Sequence, residues 1–304
     1  MSHEFEFIHS LQQNLNYIRA DIDLGIGDDC AVWKVGDQKV LLASDLLVEG
    51  VHFNLNDISY EQVGRKALAV NLSDIAAMAG TPCTALVSLA IPTETSKKQV
   101  EELMRGMLSL GHHYGTDIVG GDTTSHNGPL MVNVAMTGLI SREPVKRSGA
   151  KQGDIIFVTG PLGGSITQHH WSFTPRIHEA AELSELACLN SMIDLSDGLA
   201  SDIRHIVHAS NVGCVLDAQK IPISDSVEQS LSFEQRLFHA LSDGEDFELL
   251  MTVSEDEAKK LRSQTRIKLF EVGVMQGDPN SILMRYSDDT LKEVSDSGWK
   301  HKFQ

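Results

Sequence analysis

Apolar and polar positions alternate along the chain in blocks short enough to mark individual helices and strands. Phe5, Ile8, Leu11, Leu15 and Ile18 recur at helical spacing and predict an opening amphipathic helix over 4–19. A glycine turn follows, and then the runs 31–35 and 40–47 read as two strands around Gly36-Asp37. Ser59, with Gln62 three residues later, carries a capping-box signature that starts a long helix over 60–78, ending at Gly80 before Pro82. The second half of that helix, 67–79, is nearly all apolar and should be buried, which makes Asp74 conspicuous. Residues 83–91 read as a strand closed by Pro92. Residues 95–114 form a second amphipathic helix through Val100, Leu103, Met104, Met107 and Leu110. Ile118-Val119 reads as a short buried strand and 130–140 as a longer one, giving an α+β unit whose two helices cover one sheet face.

A polar, charged stretch over 141–153 then separates a second half, placing one domain over 1–142 and another over 150–304. A strand over 155–159 enters Gly160-Pro161-Leu162-Gly163-Gly164, while 166–175 is too weakly periodic to assign. Residues 177–189 read as a helix and 192–193 as a short strand before a turn holding Asp194 and Asp197. A helix over 199–209, strands over 213–216 and 247–253, a helix begun by Ser254 with Glu257 at its third position, and strands over 268–274 and 282–285 complete a second α/β sheet. The fold class expected is a two-domain α/β protein.

Composition narrows the function classes. The 304 residues are 41% hydrophobic and 22% charged, ordinary for a globular chain, with a net charge of −17. That balance argues against a binder of nucleic acid or of anionic membranes. A solubilising acidic surface explains most of it, and part is available to divalent metal. The cysteines Cys30, Cys83, Cys188 and Cys214 are widely spaced with no CxxC pair, so neither a structural zinc site nor a disulfide framework is expected. No secretory signal pattern opens the chain, and no apolar run approaches the ~20 residues that span a bilayer; the expectation is a cytoplasmic protein.

Candidate chemistry lies in the carboxylates. Gly25-Ile26-Gly27-Asp28-Asp29-Cys30-Ala31 sets two of them behind two glycines, and Asp45 ends the apolar run Val40-Leu41-Leu42-Ala43-Ser44. The same grammar recurs at Asp74, at Asp122 after Gly120-Gly121, and at Asp194 and Asp197. Any one of these is accounted for by an Asx turn or a helix cap. Taken together, Asp29, Asp45, Asp74, Asp122 and Asp194 point to a shared cation, with Asp28 a structural neighbour. A hard oxygen-only set without His or Cys suits Mg²⁺, which is usually held with substrate phosphates and so implies nucleotide or phosphate-ester chemistry.

No segment matches a Walker A loop, and Gly25-Ile26-Gly27 lacks the third glycine of a dinucleotide fingerprint. Gly160 to Gly164 fits either a backbone phosphate cradle or a plain strand-to-helix turn. On residue chemistry alone Arg147 is either a phosphate partner or a solvated arginine, and His52 either a substrate contact or a structural histidine. No Gly-x-Ser-x-Gly elbow marks a nucleophile.

Read in order, Gly25–Ala31, Ser44-Asp45 with Val48-Glu49-Gly50-Val51-His52-Phe53, Lys66-Ala67-Leu68-Ala69-Val70-Asn71-Leu72-Ser73-Asp74-Ile75-Ala76-Ala77-Met78, Gly120-Gly121-Asp122-Thr123-Thr124, Ile193-Asp194-Leu195-Ser196-Asp197-Gly198-Leu199 and Gly244-Glu245-Asp246-Phe247-Glu248-Leu249 resemble the thiamine-monophosphate kinases. These belong to the fold group of aminoimidazole ribonucleotide synthetase. The resemblance covers about residue 20 to the C-terminus. It implies a two-domain α/β fold whose N-terminal domains pair into a homodimer, with ATP near the N-domain face. It implies transfer of the γ-phosphoryl of ATP to thiamine monophosphate, with several Mg²⁺ ions. Carried over by motif, the metal ligands would be Asp29, Ser44, Asp45, Asp74, Asp122, Asp194 and Asp197, with Asp45, Asp74 and Asp122 catalytic. Gly121, Asp122, Arg147 and Ser196 would contact ATP; His52, Glu245 and Trp299 would contact thiamine monophosphate, Trp299 by stacking.

Three departures stand out. Ala43 replaces a family Ser, removing one ligand oxygen. The segment between Gly164 and Pro175 is shorter than the family's. The C-terminal pattern, Gly298-Trp299-Lys300-His301-Lys302-Phe303, is one residue longer. Two rival readings follow: another ATP-dependent synthetase of the same fold, or a nucleotide-binding paralogue without catalysis.

Overall fold

Strand alternation sets the first half of the molecule. The computed structural model describes residues 3–15, 17–167, 169–295 and 297–298. In chain order its first half holds α1 (His3–Asn14), β1 (Ile22–Leu24), β2 (Ala31–Val35), β3 (Gln38–Val48), α2 (Tyr60–Ala77), β4 (Thr81–Pro92), α3 (Lys97–Tyr114), β5 (Asp117–His126) and β6 (Met131–Ile140). Among the described residues these strands make a six-stranded sheet ordered β1-β2-β3-β6-β4-β5, antiparallel except where β4 meets β5. Along β6, Val132, Val134 and Met136 are buried while their neighbours are only partly covered, so one face carries the core. The other face is open: Leu42, Leu46, Leu86, Val119 and Leu139 are all exposed.

The second half holds β7 (Ile155–Val158), α4 (His169–Ser172), α5 (Ile177–Leu186), β8 (Leu189–Asp194), α6 (Leu199–Ser210), β9 (Gly213–Asp217), α7 (Phe233–Ser242), β10 (Leu249–Val253), α8 (Glu255–Gln264), β11 (Phe270–Gln276), β12 (Ile282–Arg285) and β13 (Leu291–Glu293). Its seven described strands run β13-β12-β9-β11-β7-β10-β8. β10, buried at every position, lies between β7 and β8, which explains its unbroken apolar run.

α2 joins the halves. Ser59 and Gln62 close the capping box that the sequence signals, with the Gln62 side chain accepting from Ser59 N at 2.8 Å. One side of α2 packs on α3, where a Cβ on Gly64 would lie 1.9 Å from Leu103 O, so only glycine lets the helices approach this closely. Its other sides meet the first sheet and α4, α5 and β8 of the second half. A helix enclosed in this way is apolar nearly all round, and its few polar residues mark where it faces something polar.

Several expected boundaries shift. The opening helix stops at Asn14, short of 19, and Ile18 is fully exposed. The segment read as a short buried strand at 118–119 is the ten-residue outer strand β5, largely exposed; its Gly120-Gly121 pair hid its length. The helix expected over 177–189 ends at Leu186, and Leu189 already begins β8. The stretch left unassigned at 166–175 holds a short 3₁₀ turn and α4.

Candidate active site

Each carboxylate of the cluster is delivered by a different element. Asp29 sits in the turn before β2, Asp74 on α2, and Asp194 at the C-terminal end of β8. One oxygen from each of these three lies within 4.8 Å of the others. Asp45, on the face of β3 turned toward α2, lies close enough to Asp74 for the two carboxyls to act on each other. Behind them Ser73 Oγ donates to Asp194 Oδ2 at 2.6 Å, tying α2 to β8. Burial pushes the carboxyls up: Asp194 to about 7 with Asp29 adding to the effect, Asp45 to about 6, and Asp74 well above its ordinary value with Asp45 and Asp194 adding to it.

One arginine offsets part of this charge. Arg147 Nη2 pairs with Asp29 Oδ1 at 2.7 Å, and Arg147 N donates to both oxygens of Asp28 at 3.2 Å. Asp28 therefore braces the connection between the halves, while burial and the adjacent Asp29 push its carboxyl to about 7. Burial alone would lower the Arg147 guanidinium; Asp29 outweighs it and holds the group above its ordinary value. Asp29 Oδ2 and Asp45 Oδ2 remain buried without a hydrogen-bond donor among the described residues. Buried, unsatisfied carboxylate oxygens in a cluster with no His or Cys donor fit a hard divalent cation.

The turn after β8 is stitched to the loop before β10. Glu245 N donates to Ser196 O at 2.7 Å, Phe247 N to Leu195 O, and Leu195 N to Glu248 O. This loop is strained, for Glu245 and Phe247 both adopt left-handed backbone, φ 53° and 50°. Asp197 lies outside the tight cluster, and its backbone N donates to Asp202 Oδ2. Asp202, buried and held well above the ordinary carboxyl range by that burial, went unnoticed in the sequence. Gly298 packs on Asp197 O and Ser201, where a Cβ would lie 2.5 Å from each. Trp299 lies outside the described residues.

A second polar group lies further along α2. Lys66, 0% exposed, sends Nζ to His52 O at 2.7 Å, to Glu245 Oε1 and Oε2 at 2.7 and 2.9 Å, and to His170 Nδ1 at 2.9 Å. His170 Nδ1 is 3.1 Å from Glu245 Oε2. His52 Nδ1 accepts from Val48 N at 3.0 Å, so its neutral ring carries the proton on Nε2. Lys66 and His170 had no role in the sequence reading. The available signal was a lysine opening an apolar helical run, seven and eight residues before Ser73 and Asp74 and hence on their face.

Besides Asp197, three predicted site residues fall elsewhere. Ser44 is not brought into the cluster: alternation along β3 turns it to the open face, where its Oγ accepts from Asn133 Nδ2 at 3.1 Å. Asp122 pairs with Ser88, which pairs with Asn133, which pairs with Leu46. That register sets Asp122 and Gly121 three strands from β3, about 14 Å away. Gly121 is forced by contact, since a Cβ there would lie 1.7 Å from Val87 O. Ala43, buried on the Asp45 side of β3, offers no oxygen.

Two helix-covered sheets, with a carboxylate cluster drawn from both, define a protein of the AIR synthase related class. The N-terminal domain model of that class matches residues 27–140 and the C-terminal domain model residues 173–285. The thiamine-monophosphate kinase of Rhodopirellula baltica is 36% identical over 95% of this chain and 96% of its own. That of Escherichia coli is 38% identical over 83% of each. The structure of AaThiL complexed with AMPPCP and TMP superposes with a TM-score of 0.85 at 30% identity, covering 98% of this chain and 97% of that one. The chain belongs to the thiamine-monophosphate kinase family. A hydrogenase maturation protein, HypE, in complex with ATP shares the fold at 17% identity and a TM-score of 0.70.

Proposed function

We propose that the chain transfers the γ-phosphoryl group of ATP to the phosphate of thiamine monophosphate, forming thiamine diphosphate and ADP. The observation that carries this reading is the convergence of Asp29, Asp74 and Asp194 from three elements. Acid groups held this close, with buried oxygens lacking donors, need a cation to be charged together. Asp29, Asp45, Asp74 and Asp194 are the residues that would hold Mg²⁺. Bound there, Mg²⁺ supplies neutralisation of phosphate charge in an in-line displacement.

The attacking phosphate oxygen is already ionised at neutral pH, so the chain needs no strong general base. Its residues instead position and neutralise. Arg147 holds Asp29 in place and adds positive charge beside the cluster; Ser73 fixes the rotamer of Asp194. The Ser196–Glu245 contact brings the substrate-side loop next to the metal-side turn, with Glu245 and His52 facing thiamine monophosphate.

We further assign the open face of the first sheet to a homodimer. Its exposed leucines and Val119 form an apolar surface of the kind partners cover. Ser44, Gly121 and Asp122 all lie on or beside that face, so pairing would return them to an enclosed setting. Among the described residues no helix is long and apolar enough to cross a membrane. Unpaired thiols at Cys30, Cys83, Cys188 and Cys214, and the demand for ATP, support the reading of a protein of the reducing cytoplasm.

The test is incubation with ATP, Mg²⁺ and thiamine monophosphate, following thiamine diphosphate. Product formation abolished by chelation, and lowered at least ~100-fold in Asp74→Asn, supports the reading. ATP binding without product would sink it.

A further inference from the structure

Lys66 and Asp74 are the two ionisable residues within the apolar run of α2 from 66 to 77. A lysine at 0% exposure persists only where partners surround its ammonium, and here they come from both halves of the molecule: His52 O from the first, Glu245 and His170 from the second. The partners differ in exposure. Lys66 is sealed and the His170 side chain is 9% exposed, yet the Glu245 side chain is 29% exposed. Glu245 is thus gripped through both carboxylate oxygens while its side chain stays partly open to solvent. Its left-handed backbone, φ 53°, fixes the side chain's origin, so the grip determines where the carboxylate points. Burial would by itself raise the Glu245 carboxyl, but the adjacent His170 ring and the Lys66 charge outweigh it and hold the group below its ordinary value.

Distance along α2 adds a second constraint. Asp74 follows Lys66 by eight residues, two turns and a little more, so the two stand on one face about 12 Å apart. Glu245, held on the Lys66 ammonium, therefore stands at the other end of this length of α2 from Asp74, leaving room for a molecule with a phosphate at one end and two linked small rings behind it. Thiamine monophosphate is such a molecule, and its far end carries an aromatic amine that donates hydrogen bonds beside a cationic thiazolium. A fixed, ionised carboxylate suits that end and not the phosphate.

We propose that Lys66 and His170 are positioning residues for the ring end of thiamine monophosphate, acting by aiming the Glu245 carboxylate at it while α2 sets its distance from the carboxylate cluster. This rests on the kinase reading above. His170 comes from the shortened stretch after Gly164, so that stretch is a working part of the substrate site in this chain.

The experiment measures kcat, the KM for each substrate and the melting temperature of the full-length wild type, Lys66→Met, Lys66→Arg and His170→Gln. It also compares thiamine monophosphate with the thiazole ethyl phosphate fragment that lacks the aminopyrimidine. Lys66→Met is expected to raise the KM for thiamine monophosphate about tenfold or more with the KM for ATP nearly unchanged, and to erase the preference for the whole substrate over the fragment. His170→Gln should do the same to a smaller extent, and Lys66→Arg should retain part of the preference. If Lys66→Met fails to fold, His170→Gln carries the test by the same ratio. An unchanged preference in His170→Gln, or equal rises in both KM values, overturns the proposal. A wild type that makes no thiamine diphosphate instead overturns the kinase reading, and the two failures are distinct.

Discussion

Ser73 Oγ donates a 2.6 Å hydrogen bond to Asp194 Oδ2, so adjacent residues of α2 serve the cluster in different ways. Asp74 contributes an oxygen directly, and Ser73 holds an oxygen contributed by the other half of the chain. The bond is buried, spans 121 positions of sequence, and fixes both the rotamer of Asp194 and the seating of β8 on α2.

Removing that hydroxyl leaves Asp194 Oδ2 buried and without its donor. Ser73→Ala is expected to raise the Mg²⁺ concentration needed for half-maximal activity about tenfold, the usual scale for losing a group that orients a metal ligand. Ser73→Thr keeps the hydroxyl and should keep most of the affinity. Calorimetric Mg²⁺ titration of the metal-free protein checks this independently of turnover. Equal affinities in the wild type and Ser73→Ala would remove Ser73 from the site.

The raised carboxyls fix the sign of a pH effect in metal-free protein. Asp194 and Asp28 sit at about 7 and Asp45 at about 6 in the fold, against 3.8 ordinarily. Unfolded, these groups ionise near pH 4; folded, they resist ionisation until pH 6–7. Their contribution to stability is therefore complete below about pH 4 and is lost as pH rises through 6 to 7. Chelated wild type should melt lower at pH 7 than at pH 5, and Asp194→Asn should show a shallower fall and a melting point several degrees higher at pH 7. Added Mg²⁺ should raise the wild-type melting point more at pH 7 than at pH 5. Matching pH slopes in the wild type and Asp194→Asn would count against the burial of this carboxyl beside Asp29 as the source of strain.

Asp29, Asp74 and Asp194 were legible because a carboxylate that interrupts an apolar run signals its own cost, whatever the fold. Ser44 and Asp122 were legible as motif residues, but not in their placement. Which face they occupy depends on strand register, and register is set by pairing between distant segments. Lys66 was overlooked for the opposite reason, since a lysine stem on an apolar helix packs like leucine and only the tertiary partners of its ammonium give it a role. β1 and β13, of three residues each, are too short for alternation to register. α7 carried a readable start in Ser232 and Gln235, where the structure has a capping box, and was missed in the polar stretch before it.

The α2–α3 crossing governs both stability and catalysis. In Gly64→Ala the new Cβ would lie 1.9 Å from Leu103 O, and in Gly106→Ala 1.9 Å from Glu61 O. Both obstacles are backbone, so the helices must separate. Alanine gains about 1 kcal/mol of helix propensity over glycine, while overpacking costs about 1–3 kcal/mol or more. Contact this close lies at the costly end, so each variant should be destabilised on balance. Because α2 carries Lys66, Ser73 and Asp74, Gly64→Ala should also lose activity beyond what its melting temperature explains. A folded Gly64→Ala variant with wild-type kinetics would show that the site tolerates movement of α2.

The open face of the first sheet tests the dimer. Leu46 and Leu86 are each 50% exposed and Val119 is 60% exposed on strands β3, β4 and β5, a spread too wide for isolated surface residues. Adding one carboxylate at the centre of a covered apolar face strands a charge without a partner, whereas on a free surface it costs little. Leu46→Asp with Leu86→Asp should therefore shift the protein from dimer to monomer in sedimentation, at little cost to the fold of the separate chain. Activity is the sharper readout, since Asp122 stands in the same register row as Leu46, and Asn133, also in that row, binds Ser44 Oγ. If pairing encloses these residues at the site, the monomeric variant loses turnover and high protein concentration restores part of it. A wild type that sediments as a monomer at micromolar concentration while fully active would assign Ser44 and Asp122 to the surface and leave the cluster of Asp29, Asp74 and Asp194 to act within one chain.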